Sequence, residues 1–277
     1  MTRHVSLREI SHLRLAMPTD ECWVEQLNWI PVSSSEYHLA CRHFPFAMRI
    51  EDQRPELGLL VHPRYLNSPL LDASGKWRGM YRPIGLRCFP FEAGHLSDDP
   101  LSDITIAADS KYLSPSDGIP FLDEGGQPGK LVAELHRFLG LLQQSREMFA
   151  DALDQYLVAG LVVALGDNAD PDAGPPLYVI DQGRLAQMSR AALRAMARRR
   201  FLSVDLAVAW AFSLHNLRAS YLSKPGRSRL EPQPAAATAM SDLLPMDDLP
   251  LILDDGELIS LANVETSCSE PAQPNAR

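Results

Sequence analysis

A chain of 277 residues with 45% hydrophobic and 22% charged side chains has ordinary globular usage, which excludes disorder of the whole chain and allows one sizeable core without metal or disulfide staples. Its net charge of -9 is uneven: residues 231–277 hold nine acids (Glu231, Asp242, Asp247, Asp248, Asp254, Asp255, Glu257, Glu265, Glu270) against Arg277, which leaves the body near -1. A body without a positive field argues against nucleic acid as a partner, and Cys22, Cys41, Cys88 and Cys268, with no C-x-x-C pair, suggest neither a zinc knuckle nor a disulfide framework.

Residues 1–10 break each short apolar run with a charge and offer no signal-peptide core, so a cytoplasmic protein is expected. Residues 1–34 have weak periodicity and end in Pro31-Val-Ser-Ser-Ser35, which reads as an N-terminal arm with one short helix from Asp20 to Trp29. The run from Tyr37 to Ile50 mixes aromatic and β-favouring residues ahead of a polar break at Glu51 to Glu56, and a second strand is expected from Leu57 to His62. Asp72-Ala-Ser-Gly75 has turn chemistry between Tyr65–Leu71 and Trp77–Tyr81, predicting a hairpin. Further short strands are expected at Gly85–Phe91 and Ile104–Ala108, and Asp123-Glu-Gly-Gly126 marks another turn.

From Lys130 the period changes. Leu131, Leu135, Phe138, Leu139 and Leu142 recur at helical spacing, as do Met148, Phe149, Leu153, Tyr156 and Leu157 after Gln143-Gln-Ser145; the spacing predicts two helices, the second capped by Ser145 and ended by Gly160. The longest apolar stretch, Leu157 to Leu165, is far short of the roughly 20 residues a membrane-spanning helix needs. Leu177–Ile180 reads as a returning strand, and Ser189 and Ser203 as caps of two more helices running to about Arg200 and Leu222. The expected fold is α+β, with a mainly antiparallel β first half, a helical second half and an acidic C-terminal tail. The domain runs over 35–222, a linker over 223–240, and the tail over 241–277, where Leu249–Leu253 and Glu257–Ala262 flank an Asp-Asp-Gly turn suited to a β-hairpin.

Three motifs invite chemistry and decline it. Gly125-Gly-Gln-Pro-Gly-Lys130 precedes a helix but has three residues, not four, between its glycines and Leu131 where a P-loop has Ser or Thr. His38 and His43 are the only close histidine pair among eight, at a spacing that fits no common ligand set. There is no G-x-S-x-G elbow to supply a hydrolase nucleophile. No cofactor and no metal site are expected. Arg190, Arg194 and Arg198 form a basic stripe at i, i+4 and i+8, read as a solvated, dipole-complementing face, or more sharply as a dock for an acidic partner such as the chain's own tail.

The densest cluster of aromatic and cationic residues is Lys76-Trp-Arg-Gly-Met-Tyr-Arg-Pro-Ile-Gly-Leu-Arg-Cys-Phe-Pro-Phe91. Indole, phenol and guanidinium groups offer wide flat area and forked donors, so they make both cores and binding hot spots. Trp77, Tyr81, Arg82, Arg87 and Asp109 are the candidate ligand- or partner-binding residues.

At these residues the chain resembles the bacterial SapC family. The matching pieces are Phe44-Pro-Phe46, Gly58-Leu59, Asp72-Ala-Ser-Gly-Lys-Trp77, Tyr81-Arg-Pro83, Leu86-Arg-Cys-Phe-Pro-Phe91, Asp109-Ser-Lys-Tyr-Leu-Ser114 and Gly118-Ile-Pro-Phe-Leu-Asp-Glu-Gly-Gly126. The Leu131–Leu142 helix, Leu177-Tyr-Val-Ile-Asp181 with Leu185, and the 202–217 segment with Ser213-Leu-His215 follow in the same order. The resemblance implies a surface-layer association, after which the family is named, and a genomic neighbourhood of flavin-dependent halogenase-like proteins and outer-membrane receptors; it carries over no catalytic residue. Three functions are expected as rivals, one of them the surface-layer-associated structural role that the resemblance implies. Another is an accessory module binding a protein partner through Trp77–Phe91, with self-association through the tail; the last is an enzyme acting on a small anionic or aromatic molecule.

Overall fold

The computed structural model describes residues 3–79, 81–94, 99–165, 175–199 and 201–222. In chain order these hold β1 (His4–Ser6), β2 (Arg14–Leu15), β3 (Trp29–Pro31), α1 (Tyr37–Ala40), β4 (Phe46–Glu51), β5 (Arg54–Leu60), α2 (Ile84–Cys88), β6 (Glu92–Ala93), α3 (Pro100–Asp103), β7 (Ile104–Ala107), β8 (Leu113–Ser114) and β9 (Ile119–Pro120). The second half adds α4 (Lys130–Val158), β10 (Val162–Ala164), β11 (Leu177–Ile180), α5 (Gln182–Ala186), α6 (Arg190–Arg199), α7 (Phe201–Ser213) and α8 (Ala219–Leu222). The expected α+β division holds, with antiparallel strands in the first half and helices in the second.

A five-stranded antiparallel sheet in the order β10-β11-β4-β5-β3 organises the molecule, flanked by two three-stranded sheets, β1-β7-β6 and β8-β2-β9. The polar run at Glu51 to Glu56 is not a break between strands. It is the tip of the β4–β5 hairpin, where Asp52 and Gln53 take positive φ of 48° and 64°, a left-handed pair that matches the twist of the strands it joins. Glu56, although buried, is neutralised there by Arg49 at 3.1 Å and by Arg146 at 2.7 Å from α4. β5 is buried at every residue after Arg54, the mark of a strand covered on both faces. Gly58 within it is a packing requirement, because a Cβ would lie 2.2 Å from the Ile30 carbonyl oxygen and as close to the Trp29 ring.

Helix α4 packs against β5, α2, α3, β6 and α7, burying Val132, Leu135, Leu139, Phe149, Ala152, Leu153 and Tyr156 along one stripe. At 29 residues it is about 43 Å long at 1.5 Å per residue, and it replaces the two helices expected from the sequence. The Ser145 hydroxyl donates to the Leu141 carbonyl one turn back and accepts the Ser34 N–H at 2.8 Å. It therefore sits inside the helix as a back-bonded side chain, and caps nothing. Gly160 does end the helix, at φ 61°.

Past Met48 and Arg49, where β4 pairs with β11, the outward backbone groups of Phe46 in β4 are completed by α7. The Trp210 indole donates to the Phe46 carbonyl and the Ser213 hydroxyl accepts the Phe46 N–H, each at 2.9 Å.

Other expectations are corrected. Residues 3–34 are not a detached arm: β1 pairs with β7, β2 with β8 and β9, and β3 with β5, and the expected helix at 20–29 shrinks to a 3-10 turn at Cys22–Gln26. The Tyr37–Ile50 run opens as α1 before it becomes β4. The Asp72 hairpin is one bridge, Leu71 to Trp77, and Gly85–Phe91 holds α2 instead of a strand. Ser189 caps α6 through the Ala192 N–H at 3.1 Å, whereas α7 begins before Ser203 and stops at Ser213. The linker and the tail hairpin lie outside the described residues. No helix among the described residues is long and apolar enough to cross a membrane.

Candidate functional site

The segment from Asp72 to Phe91 is built by local polar chemistry. Asp72 Oδ1 accepts the N–H groups of Ser74 at 2.8 Å and Lys76 at 3.0 Å, and Gly75 supplies φ 75° to close the turn. Its carbonyl accepts the Glu21 N–H at 2.9 Å, and the Glu21 carboxylate returns two contacts, to the Trp77 N–H at 2.6 Å and to Arg82 at 2.7 Å. The segment is thereby clamped to residues 20–23. Pro83 leads α2, and Arg87 Nε donates back to the Arg82 carbonyl at 3.0 Å.

The other side of the same segment is held by Glu36, a buried carboxylate with no motif around it to mark it in the sequence. It accepts the Tyr81 hydroxyl at 2.8 Å, the Ile84 N–H at 3.0 Å and the Ser33 N–H at 3.2 Å. Burial still pushes its carboxyl above the ordinary range despite these donors, and burial together with the Glu36 charge raises the Tyr81 phenol. The Tyr81 ring packs at 5.7 Å from His43 and 6.2 Å from Phe44.

Of the five candidates, Trp77, Arg82 and Arg87 line one cleft of about 830 Å³. Tyr81 turns inward to Glu36, and exposed Asp109, in the loop between β7 and β8, is not part of the lining. The cleft's walls add residues that the sequence reading passed over. Trp23 and Phe89 stack at 4.5 Å with 6° between their planes, and the Arg82 guanidinium lies 5.6 Å from the Trp23 ring. Opposite, the first turns of α4 present Phe138, with Arg137 at 4.6 Å and Arg87 at 5.7 Å from its ring. Four cations (Lys76, Arg82, Arg87, Arg137) therefore face two acids, Glu21 and Glu134, and Glu21 is already paired. Arg82 Nε is buried and has no acceptor among the described residues. Trp23 was hidden by the arm assignment, and Arg137 and Phe138 were visible only as a helix face.

The remaining motifs resolve physically. In the Gly125–Lys130 loop, Asp123 Oδ1 accepts the N–H groups of Gly125 and Gln127, each at 2.9 Å, so a carboxylate occupies the donors a phosphate would need. His38 and His43 do not converge: His38 Nε2 pairs with Asp205 at 3.0 Å, which also accepts the Tyr37 hydroxyl, while His43 faces Tyr81. No group of three or more metal-ligating side chains occurs among the described residues. A buried Asp103 meets His136 Nε2 at 2.9 Å. Arg190, Arg194 and Arg198 are exposed on α6.

The architecture and the cleft define an α+β protein with an aromatic, cation-lined groove between its first 3-10 turn, α2 and the start of α4. The chain belongs to the SapC family, whose model matches residues 7–219. No curated protein and no solved structure matches it.

Proposed function

We propose that this chain is a recognition module whose cleft takes an acidic segment of a partner protein, with carboxylates set among apolar side chains. The observation that carries the reading is the convergence of Trp77, Arg82 and Arg87 with Trp23, Phe138 and Arg137 around one groove. Charge-assisted bonds from guanidinium groups, beside stacked indole and phenyl rings, are the composition of interface hot spots. Selection of random twelve-residue peptides on the full-length chain tests the reading. Asp and Glu interleaved with Leu, Phe or Trp should be enriched, and Arg87→Glu with Arg137→Glu should weaken the selected peptides at least about tenfold, near 1.4 kcal/mol. A neutral or basic consensus, or binding indifferent to those substitutions, refutes it.

The cleft volume supports a second reading, since pockets of about 300–1,000 Å³ hold small molecules. Under it the chain binds or transforms a small anionic aromatic compound. A panel of aromatic carboxylates that raises the melting temperature of the wild type, with no shift in Trp77→Ala, would favour this over the peptide. The surface-layer association implied by family resemblance draws on no feature of the cleft.

A further inference from the structure

A cleft with four cations against two acids, Glu21 already holding Arg82, and a rim of indole, phenyl and aliphatic groups suits a ligand whose carboxylates are spaced by apolar side chains. The chain contains such a segment. Asp242-Leu-Leu-Pro-Met-Asp-Asp-Leu-Pro-Leu-Ile-Leu-Asp-Asp255 has five acids, seven Leu, Ile or Met side chains and no base. Its two prolines lower the chain entropy that docking removes.

Reach does not limit the contact. The last described residue before the tail is Leu222, and 19 residues, Ser223 to Ser241, precede the segment. Fully extended they span roughly 65 Å, and as a flexible coil about 24 Å, whereas a globule of about 220 residues is roughly 45 Å across. The extended linker is thus longer than the globule is wide. A tether of this kind gives an effective concentration on the order of 1 mM, which keeps even a segment of about 0.1 mM affinity bound roughly 90% of the time.

We propose that residues 242–255 occupy the cleft of their own chain, an inference that rests on reading the cleft as a site for acidic, apolar segments. A partner then competes with the tail for Arg82, Arg87 and Arg137. The α6 stripe of Arg190, Arg194 and Arg198 is a weaker dock, because it offers charge without the aromatic walls.

Hydrogen exchange on the full-length chain and on the full-length variant Asp247→Lys/Asp248→Lys/Asp254→Lys/Asp255→Lys tests the contact. Backbone within 15–23, 76–89 and 131–138 should exchange at least threefold faster in the variant, with β4 and β5 unchanged, and wild-type protection should be the same at 1 and 50 µM. Equal exchange in the two chains, or protection that grows with concentration and so belongs to a second copy, overturns the proposal. A synthetic peptide of residues 242–255 is then titrated into the variant. New protection of the three segments by the peptide, alongside equal exchange in the two chains, overturns the contact within one chain and leaves the cleft reading standing; a peptide that adds no protection to the variant overturns both.

Discussion

Replacing Ser213 by alanine removes one oxygen from a fully buried position and creates almost no cavity, so its effect isolates a hydrogen bond. That oxygen accepts the Phe46 N–H at 2.9 Å and donates to the Trp210 carbonyl at 2.7 Å. Phe46 is itself fully buried, and β11 pairs with β4 only at Met48 and Arg49, so no neighbouring strand replaces the lost acceptor. Leaving a buried backbone donor unpaired costs about 1–3 kcal/mol. For a domain of this size a loss of about 2 kcal/mol lowers the melting temperature by roughly 4–8 °C. With a urea m-value of about 2.5 kcal/mol/M, the midpoint falls by roughly 0.8 M. Urea unfolding of wild type and variant at one pH measures this directly, with exposed Ser220→Ala as a control expected within about 0.5 kcal/mol of wild type. A Ser213→Ala midpoint indistinguishable from that control refutes the account of α7 as the element that completes β4.

Glu36→Gln separates burial from hydrogen bonding. Because burial raises the Glu36 carboxyl above its ordinary 4.5, the folded state holds that proton more tightly; the stability advantage of wild type over the variant is fullest below 4.5 and shrinks as pH rises through the folded value. Denaturant midpoints at pH 4 and pH 7 check the sign, and a gap that widens towards pH 7 means the three donors outweigh burial. Gly58→Ala places a methyl group 2.2 Å from the Ile30 carbonyl oxygen and should cost more than about 3 kcal/mol or abolish soluble expression; a near-native melting temperature contradicts the β3–β5 packing. Among the described thiols, Cys22 is exposed while Cys41 and Cys88 are buried, the last pushed up to about 12 chiefly by burial. An aromatic disulfide reagent should therefore modify Cys22 in the native chain and Cys41 and Cys88 only on unfolding, as peptide mapping would show; rapid native labelling of Cys88 would mean the α2 packing is wrong.

The features legible in the sequence are those fixed by local chemistry: the Asp72 and Asp123 turns, the Gly160 stop, the Ser189 cap and the Leu177–Ile180 strand. The misreadings share one cause, which is that a partner distant in sequence decided the outcome. Residues 4–6, 14–15 and 29–31 are too short to show a period, and become strands only because β7, β8 with β9, and β5 supply their hydrogen bonds. Ser145 looks like a cap until Ser34, more than a hundred residues earlier, donates to it. Glu56 looks like part of a solvated break until Arg49 and Arg146 neutralise it. The candidate site was half legible for the same reason. Composition drew attention to 76–91, but which of its side chains share a cleft depends on Glu21, Glu36 and α4.

Two carboxylates on opposite sides of one segment explain why the candidates divide as they do. Glu21 takes the Trp77 N–H and the Arg82 guanidinium, whereas Glu36 takes the Tyr81 hydroxyl and the Ile84 N–H. Neighbouring residues are thus pulled in opposite directions, Tyr81 into the interior and Arg82 over the Trp23 ring into the cleft. Arginine carries up to about 2 kcal/mol of rotamer entropy when free. Part of that is lost on folding where Glu21 and Trp23 fix the guanidinium, so less remains to be lost when an anion arrives, which is the advantage of a preorganised site. The same arrangement leaves the buried Arg82 Nε without an acceptor among the described residues. A guanidinium held by Glu21 beside the Trp23 ring is thus the fixed part of the proposed cleft, and Lys76, Arg87 and Arg137 are the cations around it.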